Sequence, residues 1–572
     1  MKSAFEDIPS SFKEATIVPI YKGKGRDPLQ TQNYRGISLS SVVGKLLERI
    51  MLGRILPILE EKGIPHLTQT AYQKGVSCGD ATEAVQEIIK NYIDAGSSAF
   101  QCFYDLEKAF DSVEYNVLLN HLYRAGINGK GWRVIGAFYK DPSARVRING
   151  DLSGSFILGR GVKQGSVLSP ILFLLVIDSL LTDLESSGLG ATMFGHYLGS
   201  LGHADDIRSI SPNLEIIEQQ ASIVTKFTKT NGLNLNISKL ELQEHSITKH
   251  PPCSIQVGET IITSTDSATC LGVKWSHDLS PKKSIEHNIA KARRAFFALS
   301  TKGIHGKLNP LTSKEMFETC VLPVCLYGAE NWILTQNLIK LLEDFQAEIG
   351  KRILNIPKHH SNLIPLVALH WPSMRLRILQ QKLSFLWRLL HPKKTTINVK
   401  VMLSLRENGV EPILVQQCKF LEQVYGSNST DTMLQNNTDY DSISLQYIKK
   451  TLQKADINLT WDRISSRSSL TLLSHDINWM KLWDVAREYG IQGARSITSA
   501  LKTITIPVFS DEYQCQICDF VFTKGTPPAA HLSETHLGCS LQHLLNLLKD
   551  PCEETFSTTA SLKFLLRKVK PV

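Results

Sequence analysis

Between Ala99 and Val273, short apolar runs bounded by Gly, Asn and Asp alternate with longer segments of helical period. This alternation predicts an α/β (α+β) fold. The run Phe100-Gln101-Cys102-Phe103-Tyr104-Asp105 predicts a short strand ending on a carboxylate. Ser169-Pro170 reads as the N-cap and N1 pair of the apolar helix that follows. The stretch from Val167 to Leu181 is broken by Ser169, Pro170, Asp178 and Ser179. It is too short and too interrupted to span a bilayer, so it predicts a buried helix and no membrane partner. Upstream, Ala15 to Ile20 is β-like, Tyr21 to Asp27 is a Gly/Lys loop, and Val42 to Leu59 predicts an amphipathic helix. Downstream, Ser280 to Leu299 predicts a basic amphipathic helix with Ile285, Ile289, Ala292 and Phe296 on one face. Thr312 to about Leu390 reads as mostly helical. Asn428 to Tyr440, rich in Asn, Thr, Ser and Asp, reads as a linker, and residues 511–540 change character again.

Composition narrows the class only a little. A chain of 572 residues predicts about three to five folded lobes. The net charge of +9 and pI near 8.8 suit a polyanionic partner without requiring one. Eleven cysteines are too sparse for a disulfide scaffold, and the residues before Phe12 lack the apolar core of a signal peptide. Both observations point to a reducing compartment.

The chemistry concentrates in carboxylates. His203-Ala204-Asp205-Asp206-Ile207 puts adjacent aspartates where a hairpin would turn, with Gly199 and Gly202 just before. Adjacent carboxylates repel, so a bound dication is an economical reason to keep them together. With Asp105 at a neighbouring strand end, three carboxylates could hold two Mg²⁺ roughly 3.5–4 Å apart, the arrangement that serves in-line phosphoryl transfer. An isolated Asp-Asp pair is more often a solvated turn, so the surrounding segments decide.

In order and spacing, those segments resemble the motifs of a reverse transcriptase of the non-LTR (LINE-type) retrotransposon kind. Phe103-Tyr104-Asp105-Leu106-Glu107-Lys108-Ala109-Phe110-Asp111 is similar to the first catalytic block. Gly161-Val162-Lys163-Gln164-Gly165-Ser166-Val167-Leu168-Ser169-Pro170 is similar to the block that cradles the nucleotide, and Ala204-Asp205-Asp206 to the catalytic hairpin. Asn231-Gly232-Leu233-Asn234-Leu235-Asn236 with Lys239, and Cys270-Leu271-Gly272-Val273, resemble the next block and the primer-gripping hairpin. Upstream, Tyr34-Arg35-Gly36-Ile37-Ser38-Leu39 resembles the fingers motif, and Pro19 to Gly25 the basic loop before it. The resemblance covers about Phe12 to Leu390.

It implies a right-hand polymerase that copies an RNA template onto a DNA primer using dNTPs and Mg²⁺. Fingers would span 1–98, the palm 99–278, a helical thumb 279–345 and a helical connector 346–510. A zinc-finger-like module at 511–540 and a tail at 541–572 would follow. Asp105, Asp205 and Asp206 would hold magnesium, and Lys239 would sit at the triphosphate. Phe110, five positions past Asp105, would lie beneath the sugar as a steric gate against a 2′-hydroxyl. Gln164, Gly165, Arg35 and Lys74 would bind substrate, while Asp111 would cap the helix starting near Val113. Lys282, Lys283, Lys291, Arg293 and Arg294 would track duplex phosphates. The stretch from Leu322 to Trp332 suggests core packing.

Four positions depart from the family pattern: His203 stands for Tyr or Phe, Arg208 for an aliphatic, Gly36 for proline, and Gln73 for arginine. They leave open a second reading, a catalytically weakened or co-opted nucleic-acid-binding relic. Near the C-terminus, Cys515, Cys518, His531 and His536 have the spacing of a tetrahedral Zn²⁺ site, with Cys539 an alternative fourth ligand. The finger would hold target DNA or template RNA. The chain starts almost at the fingers, so a nick would come from elsewhere, and priming on chromosomal DNA implies the nucleus, with the cytoplasm the alternative.

Overall fold

In the computed structural model the described residues are 8–23, 25–299, 310–354, 358–359, 361–391, 396–435 and 442–465, with the backbone of short strands at 505–509, 512–515 and 521–523. The chain divides into two units, Met1–Ser280 with Pro392–Pro412, and Pro281–His391 with Ile413–Val572. No helix among the described residues is long and apolar enough to cross a membrane.

The first unit is built on a four-stranded antiparallel sheet in the order Glu241–His245, Ala99–Asp105, Asp206–Ser211, Ser200–His203. Side chains alternate across a strand. Cys102, Tyr104 and Ile207 therefore turn to one face, with Phe103, Asp105, Asp206 and Arg208 on the other. The helices Ser169–Ser186 and Leu214–Thr230 pack against this sheet. Ser169–Ser186 is apolar nearly all round, as predicted, and twelve of its residues from Ser169 to Leu184 are buried. It begins at Ser169 rather than after it. The hydroxyl of Ser166 accepts from the amides of Leu168 and Ser169 at 3.2 and 3.4 Å, taking the capping role assigned to Ser169.

A second sheet carries the N-terminal strands. Ala15–Tyr21 pairs antiparallel with Tyr34–Ser40 and parallel with Ser143–Ile148. The helix Val42–Glu61 follows, but it is not cleanly amphipathic. Met51, Ile55 and Leu59 are buried, whereas Val42, Val43, Leu46 and Ile50 are exposed. The helix Ile397–Glu407, which the sequence places in the connector, belongs to the first unit. There Asn398 Nδ2 donates to the buried Asp80 at 2.9 Å, a contact spanning 318 positions that no local pattern announces.

In the second unit the helix Lys282–Leu299 buries Ile285, Ile289, Ala292 and Phe296, the face that periodicity selects. The segment from Leu322 to Trp332 is a scaffold. Asn288 Nδ2 donates to the carbonyl of Tyr327 at 3.0 Å, and the buried Lys382 donates to those of Glu330 and Trp332 at 2.8 and 2.9 Å. Burial pushes the Lys382 ammonium down to about 8. Asn428 to Tyr440 is not a plain linker. Ser429–Gln435 is helical, with Thr430 and Met433 buried. The zinc expectation lies outside the described residues: Cys518, His531 and His536 are not among them, and only the backbone of Cys515, closing the strand Glu512–Cys515, is.

At the far end of the central sheet His245 is fully buried against Gln101, and burial pushes its imidazole down to about 3. The unfolded chain binds that proton near pH 6.5, so stability is full above this value and is lost as the pH falls toward 3. Between pH 7 and pH 5 the effect is worth about 2 kcal/mol. The thermal midpoint of the wild type is expected to fall more steeply over this interval than that of His245→Gln; parallel slopes would refute the assignment.

Candidate active site

Two strands set the acidic centre. Asp206 lies directly opposite Asp105 in the antiparallel register, and His203 pairs with Asp206 from the other side. Directly paired residues present their side chains on one face. Asp205 occupies the turn between Ser200–His203 and Asp206–Ser211, entered through Ala204 at φ +57°. Burial, then the charges of Asp205 and Asp105, push the Asp206 carboxyl up to about 6. Asp205 is raised as well, first by burial and then by Asp105.

Lys239 Nζ forms an ion pair with Asp105 Oδ1 at 2.7 Å, and Asn236 Nδ2 donates to Asp105 Oδ2 at 3.1 Å. The backbone adds two clamps: Asn236 N donates to Asp105 O, and Glu107 N to Asn234 O, both at 2.8 Å. The Asn231 to Lys239 block is thus tied directly to the first carboxylate. Lys22 lies in a field of like charge, its ammonium lowered by burial and then by Arg26, Arg35, Lys239 and Lys108. Arg35 and Lys239 also pull the Asp205 carboxyl down against its other influences. Lys239 and Arg35 thus set positive charge against the carboxylates.

Among the described residues, no three His, Cys, Asp or Glu side chains converge on a ready-made coordination point. The donor set nonetheless suits a hard dication. It is all carboxylate oxygen, and the mutual repulsion that raises Asp205 and Asp206 is what such an ion would relieve.

The loop Gly161–Ser166 is fixed by close backbone approaches. A Cβ on Gly161 would meet Asp111 O at 2.8 Å, and one on Gly165 would meet Ser38 O at 2.5 Å. Both glycines have φ values, +96° and +127°, that other residues resist. Ser38 N donates to Gln164 O at 2.8 Å. Gln164 Nε2 reaches both oxygens of Asp111 at 3.3 and 3.4 Å. Asp111 therefore orients Gln164 and does not cap the following helix, Tyr115–Arg124, whose N-cap is Glu114.

Phe110 stacks on Phe173, with centroids 4.8 Å apart and planes 19° apart, and meets the edge of Tyr72 at 6.4 Å. Tyr72 is 59% exposed at φ +55°, unusual for an aromatic residue. Its hydroxyl pKa is raised by burial and then by Asp205. Lys74 is exposed, and no ion pair among the described residues links it to Asp105, Asp205 or Asp206.

Two of the departures, Arg208 and His203, are packed into the site. Arg208 is 3% exposed, its guanidinium 5.6 Å from the Phe103 ring centroid and 5.3 Å from that of Trp275. Trp275 lies in the hairpin Ser267–Cys270 and Val273–Ser276, so Arg208 wedges that hairpin to the sheet. His203 Nδ1 pairs with Thr70 Oγ1 at 2.9 Å, and Nε2 approaches Cys78 Sγ at 3.6 Å. Burial and Arg208 lower its pKa, favouring the neutral ring.

Sequence reasoning missed Glu48. It is buried on the Val42–Glu61 helix, and its Oε2 accepts from Ser166 Oγ at 2.8 Å and Val167 N at 2.6 Å. It anchors the far end of the Gln164-Gly165 loop. Glu48→Ala is expected to quicken hydrogen exchange at Ser166 and Val167 about tenfold, since it removes the acceptor that holds both. Unchanged exchange there would disprove the anchoring role.

Residues 20–275 match the family model described as reverse transcriptase (RNA-dependent DNA polymerase). Together with the carboxylate, lysine and glycine-loop geometry, this defines a reverse transcriptase domain. The Pol polyprotein of the type-1 retrotransposable element R2 of Popillia japonica is 25% identical over 369 residues, 62% of this chain and 49% of that protein. The RNA-directed DNA polymerase of the mobile element jockey of Drosophila funebris is 28% identical over 365 residues, 61% of this chain and 38% of that protein. The probable polymerase of the Drosophila melanogaster X-element is 23% identical over 351 residues, 60% and 38%. All three relatives are proteins of transposable or mobile elements. The chain spans about half the length of the R2 relative and less of the others. Among solved structures, apo telomerase from Candida tropicalis aligns with a TM-score of 0.36 at 13% identity, covering 77% of this chain and 70% of that one.

Proposed function

We propose that this chain is an RNA-directed DNA polymerase that extends a DNA primer on an RNA template. The observation that carries the reading is the registered pair of Asp105 and Asp206, with Lys239 bound to the first. Asp105, Asp205 and Asp206 would hold Mg²⁺, which would supply charge stabilisation at the attacking and leaving oxygens.

The protein's own groups do the rest. Lys239, Arg35 and Lys22 take the triphosphate charge, and Lys239 stands where a proton or a positive charge meets the departing pyrophosphate. The primer 3′-hydroxyl oxygen forms a bond to the α-phosphorus, the bond to pyrophosphate breaks, and the hydroxyl proton leaves to solvent. Gln164, braced by Asp111, lies along the nucleotide, while Gly165 lets the backbone close on it. Phe110, backed by Phe173, sits beneath the sugar. On the helix Lys282–Leu299, Lys282, Lys283, Lys291 and Arg294 are exposed and suited to duplex phosphates, whereas Arg293 is held by Glu348 at 2.7 Å. A zinc module around Cys515, Cys518, His531 and His536, contact with target DNA and action in the nucleus belong to the same proposal. Zinc content after gentle purification tests the module.

The test offers the purified chain a primed RNA template with Mg²⁺ and either dNTPs or NTPs. Extension with dNTPs only is expected. Tight binding of primer–template with no extension would instead mark a nucleic-acid-binding relic.

A further inference from the structure

We propose that Gln69 is a positioning residue for this reaction, holding the turn that presents Asp205 through a hydrogen bond to the Ala204 amide. The proposal rests on the polymerase reading above.

Gln69 lies in neither catalytic strand and 135 positions before the amide it holds. Its Oε1 accepts from Ala204 N and from Ala71 N, both at 3.0 Å. Two backbone N–H donors fix which end of the amide faces them, because only the oxygen can accept. Gln69 is 1% exposed, so no water competes for these bonds. Ala204 stands at φ +57°, where a Cβ is disfavoured, so the turn needs an outside restraint to stay populated.

The flanking chain is stitched to the same hairpin. Gly202 N donates to Thr68 O at 3.0 Å, and Thr70 N donates to Gly202 O at 2.8 Å. Gln69 and Gly202 form a parallel bridge. Gly202 is what lets the amide through: a Cβ there would meet Gln69 Nε2 at 2.9 Å and Leu181 Cδ1 at 3.1 Å. Gln73 Nε2 in turn donates to the Gln69 carbonyl. The position where an arginine was expected therefore serves this clamp. The same short segment carries Tyr72 to its place against Phe110. One strap thus fixes both the carboxylate turn and one wall beside the steric gate.

Primer extension by the full chain tests this with wild type, Gln69→Met and Gln69→Glu. Methionine keeps length and volume without a strong acceptor; glutamate keeps an oxygen acceptor. Gln69→Met is expected to lower kcat about 100-fold, the scale of a misplaced reacting group. It should also raise the Mg²⁺ concentration for half-maximal rate, while the primer–template Kd stays within about twofold. Gln69→Glu should retain more kcat than Gln69→Met. Hydrogen exchange over residues 200–208 should quicken in Gln69→Met, a readout that needs no activity. If that variant does not fold, Gly202→Ala crowds the same amide from the strand side, and the same kcat and Mg²⁺ effects are expected. Wild-type kcat and Mg²⁺ requirement in the folded variant, a loss confined to Kd, or the reverse order of the two substitutions would each overturn the proposal alone. A wild-type chain that extends no primer would remove the polymerase reading and this proposal with it.

Discussion

A chain carrying Asp206→Asn is expected to extend a primed RNA template about 10³-fold more slowly than wild type, and the double change Asp205→Asn, Asp206→Asn to leave no measurable extension. The expectation follows from where the charge sits. Asp206 faces Asp105 across a strand pair with Asp205 in the adjoining turn, so removing it strips one of the two carboxylates paired on that face. Loss of activity alone could mean misfolding, but the electrostatics predict the opposite effect on stability. With no cation bound, burial and two like charges push the Asp206 carboxyl up to about 6. A carboxyl raised in the folded state binds its proton more tightly there than when unfolded. Keeping it ionised at pH 7 therefore costs stability, up to about 3 kcal/mol before solvent screening is discounted. The asparagine variant should melt at the same temperature as wild type or higher in EDTA at pH 7, with the gap closing below about pH 4 as both side chains become neutral. An inactive variant that also melts much lower would contradict the assignment, and so would one that extends at the wild-type rate.

That centre was legible in the sequence because its signals are local. Period-two alternation places Asp105 and Phe103 on one face, and the Asp-Asp turn after Gly199 and Gly202 marks the hairpin. Helix periodicity likewise selected Ile285, Ile289, Ala292 and Phe296 as the buried stripe. What escaped were residues that hold a backbone amide more than a hundred positions away. Glu48 on an apparently ordinary helix holds Val167 N, and Gln69 in a loop holds Ala204 N. Neither has a local pattern, since a buried Glu or Gln looks like a surface residue until its partner is known. Asp111 was misassigned for the same reason. Its nearness to a helix start suggested a cap, but the partner that claims it, Gln164, is 53 positions away. Lys74 is a different case. Charge alone nominated it to replace a missing arginine, yet the chain leaves it exposed while Gln73 turns inward to the Gln69 carbonyl.

Phe110→Val is expected to admit ribonucleotides, lowering the preference for dNTP over NTP, measured as the ratio of kcat/KM values, by at least about 100-fold. The ring is not free to step aside. Phe173, fully buried, lies beneath it at 4.8 Å in a near-parallel stack, and Tyr72 closes the edge at 6.4 Å. Its carbonyl is engaged as well, accepting from Val162 N at 2.7 Å, which ties its backbone to the nucleotide-cradling loop. A rigid aromatic wall beneath a sugar excludes a 2′-hydroxyl by volume, not by hydrogen bonding. Valine opens that volume without adding a polar group, so NTP use should rise chiefly through a lower KM for NTP, with dNTP use little changed. Phe110→Tyr serves as the counter-test, since it keeps the ring and should keep the discrimination. Phe173→Leu should soften it partway by letting the Phe110 ring settle deeper. If Phe110→Val leaves the ratio where it was in an otherwise active protein, sugar selection lies elsewhere. Tyr72, which meets the edge of the same ring, is then the group to replace next.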